Sequence, residues 1–241
     1  MAITAQGMKQ PDIDIFLRAI ATLNNELRAD RRLSVKTIRD LLVQLDTDAV
    51  GYTDYEAKFY LAGSVAPWPA NVSAAALVVS GFTSIDMSQA QLDAYVATVE
   101  TLVNELRADR ATMAASYDGI LAYLDADGMT DSNYDAVLAV GGTGDAWPAD
   151  PTSTAIDDVL ITTQGISQPD LYDLFVAIQA LSNELRTDRA SQSASFDALC
   201  SKLDGDGAVG LSTDYEAVLA VGGSGNAWPA NPASAALDLT A

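Results

Sequence analysis

One heptapeptide restricts what this chain can fold into. NELRADR begins at Asn25 and again at Asn104, and NELRTDR begins at Asn183, so the interval is 79 residues both times. A reactive site rarely needs three copies, whereas a symmetric framework does. Other landmarks keep step: Leu45-Asp46, Leu124-Asp125 and Leu203-Asp204, then Tyr55, Tyr134 and Tyr215, then Trp68, Trp147 and Trp228, with two extra residues inside the third copy. The opening ITAQGMKQPD (3–12) matches ITTQGISQPD (161–170). Self-similarity at a fixed period means tandem units. Their bounds are 3–81, 82–160 and 161–241, and one composite domain is expected. The closing ALDLTA reads as the start of a fourth unit, placed to pair with the N-terminal AIT.

Each unit opens with a long helix, expected from about Ser88 to Leu124 in the second. Leu92, Val96, Val99, Val103, Leu106, Met113, Tyr117, Ile120 and Leu124 follow one another in alternating steps of four and three, broken only at Arg110. That is an a/d heptad seam. The first unit repeats it with Ile13, Leu17, Ile20, Leu27, Ile38, Leu41 and Leu45. The third has Leu171, Phe175, Ile178, Leu185, Phe196, Leu199 and Leu203, with polar Ser182, Arg189 and Gln192 between. QPD at 10–12 and 168–170 puts proline and an acid in the first turn. Asp/Gly-rich loops follow, then a short helix. Thr53 with Glu56 and Thr213 with Glu216 have capping-box spacing, and Gly141-Gly142, or Gly63 in the first unit, stops the short helix. Proline-rich PWPAN, AWPADP and AWPANP lead into short apolar runs at 76–82 and 158–163, read as one short strand per unit.

These lengths constrain topology. A helix of about 35 residues is roughly 50 Å long, and the extended remainder of a unit covers about 3.3 Å per residue. The chain can therefore return and launch the next long helix in the same direction. The expected fold is mainly α: three long helices in an intrachain parallel coiled coil with pseudo-threefold symmetry. The competing arrangement is three helical hairpins in a row. The coil is preferred because a heptad seam wants partners of equal length. In it Arg31, Arg110 and Arg189 share one a-layer, and Asp30, Asp109 and Asp188 stand at g, beside the neighbouring helix's a position. A ring of Arg–Asp pairs would fix register at some cost in stability, with Glu26, Glu105 and Glu184 one turn earlier sharing the charge. The plainer reading is a solvated charged face with arginine stems covering the seam.

Composition narrows function. The chain has 33 acidic and 13 basic residues, a net charge of −20. Such a surface repels phosphate backbones and anionic bilayers, so neither nucleic acid nor membrane is an expected partner. No apolar run approaches the about 18 residues that span a bilayer, and MAITAQGMKQP lacks the pattern of a signal peptide. There is no histidine, which removes Ser-His-Asp and Cys-His catalysis and histidine-ligated metals; no enzyme activity is expected. Cys200, alone, aligns with Leu42 and Leu121 and reads as a buried apolar residue. The acidic loops fail EF-hand spacing. Asp46/Asp48, Asp125/Asp127 and Asp204/Asp206 are read as turn and capping residues before a loose cation site. GGTGDAW (141–147) and GGSGNAW (222–228) lack the lysine and setting of a phosphate loop, so no cofactor is expected. Trp68, Trp147 and Trp228 each precede a proline. They are candidate partner anchors or sugar-stacking platforms, or, preferred, residues that pin a loop onto its own helices.

The stretch NELRADRATMAASYDGILAYLDADGMTDSNYDAVLAV (104–140) resembles a repeat of tailed-bacteriophage virion proteins, in which a charged helix leads into LLxKLDADxGVTDTxYxA. All three units carry it, over about half of the chain; the WPA segments and the insert in the third unit depart from it. The resemblance implies a non-enzymatic structural component of the virion, a capsid decoration protein or head fibre, with capsid or other virion proteins as partners and assembly in the host cytoplasm. It supplies no catalytic residues. The alternative is an adhesin that recognises a host receptor or glycan through the tryptophan loops.

Overall fold

The computed structural model describes residues 10–48, 53–60, 68–70, 72–75, 77, 89–127, 133–153, 155, 168–205 and 214–239. The molecule is mainly helical. Three long helices, α1 (Gln10–Thr47), α3 (Gln89–Ala126) and α5 (Gln168–Gly205), have 38 residues each, about 57 Å at 1.5 Å per residue. Three short ones follow them: α2 (Tyr55–Phe59), α4 (Tyr134–Leu138) and α6 (Tyr215–Leu219). The strands expected at 76–82 and 158–163 lie outside the described residues apart from Leu77, which has no regular structure. The N-terminal AIT, Gly63 and Thr213 also lie outside them. No helix among the described residues is long and apolar enough to cross a membrane.

The long helices pack against one another, each touching both others. Every apolar heptad residue named above is buried. A second stripe is buried as well: Phe16, Tyr95 and Leu174; Leu23, Leu102 and Leu181; Leu42, Leu121 and Cys200. This stripe widens the apolar face beyond a bare a/d seam, because short helices and extended segments cover the flanks. Contacts between helices join equivalent levels. Near the start, Phe16 meets Phe175 with ring centroids 5.1 Å apart, and the Tyr95 hydroxyl donates to the Leu17 carbonyl at 2.8 Å. Lower down, the Tyr117 hydroxyl donates to the Ser195 carbonyl at 3.1 Å. Each short helix touches its own long helix and one other: α2 reaches α3, α4 reaches α5, and α6 reaches back to α1.

Two apolar cores result. One holds the first halves of the long helices with Val72, Ala74, Leu77, Leu237 and Leu239. The other holds their second halves, the short helices and the three tryptophans. Between them lies a polar layer of Asp30, Arg31, Ser34, Arg110, Arg189, Gln192 and Ser193, all buried.

Candidate functional site at the arginine layer

The second arginine of each heptapeptide reaches the aspartate of another copy. Arg31 Nε donates to Asp109 Oδ2 at 3.0 Å. Arg110 Nε stands 3.4 Å from Asp188 Oδ2, and Arg189 Nε stands 3.7 Å from Asp30 Oδ2. The pairs run from α1 to α3, α3 to α5 and α5 to α1. They are unequal, since neither of the longer two is a hydrogen bond and Asp30 Oδ2 and Asp188 Oδ2 are left without one. Burial raises all three aspartates, against the pull of the arginines, and takes Asp30 and Asp188 to about 6. Burial likewise lowers the arginines, Arg189 to about 10.

The guanidinium heads do not finish on one another. Arg31 Nη2 donates to the carbonyls of Pro69 (2.7 Å) and Ala70 (3.1 Å). Arg110 Nη2 donates to Pro148 and Ala149, and Arg189 Nη2 to Pro229. Each second arginine thus holds the WPA segment of its own unit, a carbonyl partner that the heptad frame gave no reason to anticipate.

The rest of the heptapeptide grips the same extended segments further along. Glu105 accepts from the Ser73 and Ala74 amides, both at 2.7 Å, and from the Ser73 hydroxyl. Glu184 does the same for Thr152 and Ser153, and Glu26 accepts from the Ala233 and Ser234 amides. These glutamates bind backbone directly, and their charges still reach the layer one turn away: Glu105 favours the charged form of Arg31, and Glu26, Glu105 and Glu184 disfavour the charged forms of Asp30, Asp109 and Asp188. Burial on its own would raise Glu184, but the hydrogen bonds from Ser153 and Thr152 outweigh it and hold the carboxyl at about 2. Arg28, Arg107 and Arg186 donate through Nε to the carbonyls of Ala74, Ser153 and Ser234. Asn25 exchanges two hydrogen bonds with the Leu77 backbone, and Asn183 does so with Leu237. The amide side chains thereby pair with extended backbone as a neighbouring strand would.

The LD-x-D stretches are capping modules. Asp46 accepts from the Tyr55 and Glu56 amides, Asp125 from Tyr134 and Asp135, and Asp204 from Tyr215 and Glu216. The second acid ties units together: Asp127 accepts from the Tyr55 hydroxyl at 2.9 Å, and Asp48 from Tyr215 at 3.0 Å. The capping box expected at Thr53 and Glu56 is corrected by one residue. Asp54 is the N-cap, in extended geometry, and its side chain accepts from the Ala57 amide; Asn133 and Asp214 do the same for Ala136 and Ala217. Counted from Asp54, the N3 residue is Ala57, which has no acceptor to complete a box, and the Glu56 amide donates to Asp46.

Trp68, Trp147 and Trp228 are at most 4% exposed, in line with the preferred reading that each pins its loop onto the chain's own helices and not with the alternative of a surface anchor. Their rings meet edge to face in a closed trio, with centroids 5.9–6.4 Å apart. Tyr117 stacks on Trp147 and Phe196 on Trp228. Each tryptophan amide donates to the carbonyl that ends the short helix before it: Phe59, Leu138 and Leu219. The rings serve as core, with arginines Arg110 and Arg189 lying over Trp147 and Trp228. Compared with known proteins, the chain matches no family model, no curated protein and no solved structure.

Proposed function

We propose that this chain is a non-enzymatic structural component of a bacteriophage virion, a capsid decoration protein or head fibre. In this reading its three units form a parallel three-helix coiled coil about a pseudo-threefold axis. The observation that carries the architectural part is cyclic bonding. Glu105 of the second unit grips the segment of the first, Glu184 of the third grips that of the second, and Glu26 of the first grips that of the third. The Arg–Asp pairs run round the same three units. A ring of contacts that returns to its start is what closed symmetry requires, and a seam of equal-length helices favours a parallel coil. The virion part rests on the resemblance of 104–140.

A single-chain rod with threefold pseudo-symmetry suits a threefold or quasi-threefold position of a capsid lattice. The adhesin reading loses its anchors, because the tryptophans sit in the core. The test is imaging of the particles that carry this protein, with binding of the purified chain to particles that lack it. Density at symmetry-related lattice sites, in matching stoichiometry, is the expected result. Failure to associate with any particle, or attachment at the tail tip alone, would overturn the capsid assignment.

A further inference from the structure

The three units differ on the outside far more than in the core. The first (3–81) holds 8 of the 13 basic residues against 9 acids, whereas the second holds 2 against 14 and the third 3 against 10. Three of those cations stand on one outer face of α1. Arg32, Lys36, Arg39 and Val43 follow in steps of four, three and four and are all exposed, with Leu33 exposed beside them. The same places on α3 hold three alanines and Asp118, and on α5 two alanines, Asp197 and Ser201. Packing of the bundle does not call for the long side chains, since two of the three helices do without them.

The third unit carries the opposite feature at the same level. An open depression there is lined by Asp197, Asp214, Glu216, Ala220 and Val221. The first unit shows what fills such a place. It has Arg39 where the third has Asp197 and, allowing for the insert, Glu56 for Glu216 and Tyr60 for Ala220. Arg39 Nε stands 3.7 Å from Glu56 Oε1, and its guanidinium carbon lies 5.2 Å from the Tyr60 ring centroid. The first unit thus closes its own depression with a cation and a ring, and the third puts an acid and a methyl group in their stead. Asp197 and Asp214 each turn Oδ1 to a backbone amide, of Val221 and Ala217. None of the three carboxylates is in an ion pair among the described residues.

The two patches adjoin. The loop after α6 joins them, with Asn226 donating to Asp40 at 2.6 Å and the Thr37 hydroxyl donating to the Ala227 carbonyl at 3.1 Å. A basic stripe beside an acidic depression is self-complementary: a twofold axis between them lays each on the other's counterpart, twice over. The net charge of −20 does not forbid this, because charges are screened within about 8 Å at physiological ionic strength and the facing patches decide. We propose that a second copy of this chain docks here, Arg32 and Lys36 of each α1 entering the depression of the other copy. Leu33 and Val221, 44% and 37% exposed, give the contact its apolar part. This pairing belongs to the chain in solution and is independent of where the protein is displayed.

The experiment measures the mass of the full chain by sedimentation equilibrium at physiological ionic strength, where a monomer–dimer equilibrium is expected. Isotope-labelled and unlabelled chains, mixed and treated with a zero-length carbodiimide, are expected to give mixed crosslinks from Lys36 to Asp214 or Glu216. Arg32→Glu with Lys36→Glu reverses one patch, and Glu216→Lys with Ala217→Lys reverses the other, all at exposed positions. Each variant alone is expected to keep its helicity and to raise the dimer Kd at least about tenfold. Their equimolar mixture is expected to dimerise again, because both contacts return with their signs exchanged. A wild-type chain that stays monomeric, a dimer that both variants retain, or a mixture that fails to re-form it would overturn the proposal. The mass and the crosslinks are read on the unaltered chain, so a variant that fails to fold leaves the test standing: a dimer without those crosslinks overturns it too.

Discussion

A single side chain in this molecule commonly serves two neighbours at once. Arg110 faces Asp188 across the helix pair and holds Pro148 on its own segment. Its loss therefore removes a register contact and a strap contact together. Breaking one partner out of a buried pair costs about 3–5 kcal/mol, so Asp188→Ala, which strands Arg110, is expected to destabilise more than Arg110→Met with Asp188→Ala combined; urea unfolding of the three variants checks the order. The acids also set a pH response. Asp30 and Asp188 are raised to about 6 from about 4 in an unfolded chain. The folded state therefore binds more protons than the unfolded one between those values, and this part of the stability grows as pH falls through 6. Glu184, held at about 2, acts in the opposite sense: its contribution is full above the unfolded carboxylate range and is lost as pH falls toward 2. The urea midpoint is expected to rise from pH 7 to 5, and Asp30→Asn with Asp188→Asn to flatten the rise. The arginines were legible in the sequence because they interrupt the a/d seam, and the aspartates because they stand at g beside them. The jobs of Glu26, Glu105 and Glu184 were not, since their partners lie 31 to 208 residues away in segments without periodicity.

At the scale of elements, the long helices could be read directly from apolar spacing, within a residue or two of their observed ends. The short helices depend on distant carboxylates as much as on their own turns. Asn133→Ala removes a cap and is expected to cost about 1 kcal/mol, with the loss confined to α4 in a hydrogen-exchange profile. Gly141 has φ near 83°, a left-handed geometry that disfavours a side chain. At Gly142 an added Cβ would collide with the Val137 carbonyl, so Gly142→Ala should cost more than Asn133→Ala by the same measurement. The extended segments have no ladder of their own among the described residues and are held by side chains. Glu105→Ala deletes the acceptor for two amides and a hydroxyl. Exchange at the Ser73 and Ala74 amides is expected to speed up at least tenfold, with α3 still protected. This dependence was invisible in the sequence, where proline and alanine announce only that the segment is not helical.

For the molecule as a whole, the fixed 79-residue interval already implied equivalent units, and the Arg–Asp ring expected at the heptad break already had the third bonding back to the first; the second closing contact, from Glu26 to the Ala233 and Ser234 amides, was not foreseen. Glu26 makes with Ala233 and Ser234 the amide contacts that Glu105 makes with Ser73 and Ala74. Glu26→Ala is therefore expected to lower the urea midpoint about as much as Glu105→Ala, and both to unfold in one transition; a second transition would mean that the units melt separately. The layers also differ from helix to helix. Asn24 and Ser182 hydrogen-bond to each other where the remaining position is Val103, and Ile38, Tyr117 and Phe196 form another mixed level. Three identical subunits would have to write every level in triplicate, so any substitution would change three side-chain volumes at once. A fused chain changes one third of a layer per mutation. Its core can therefore drift in small steps, each of which a close-packed interior tolerates far better than a triple change.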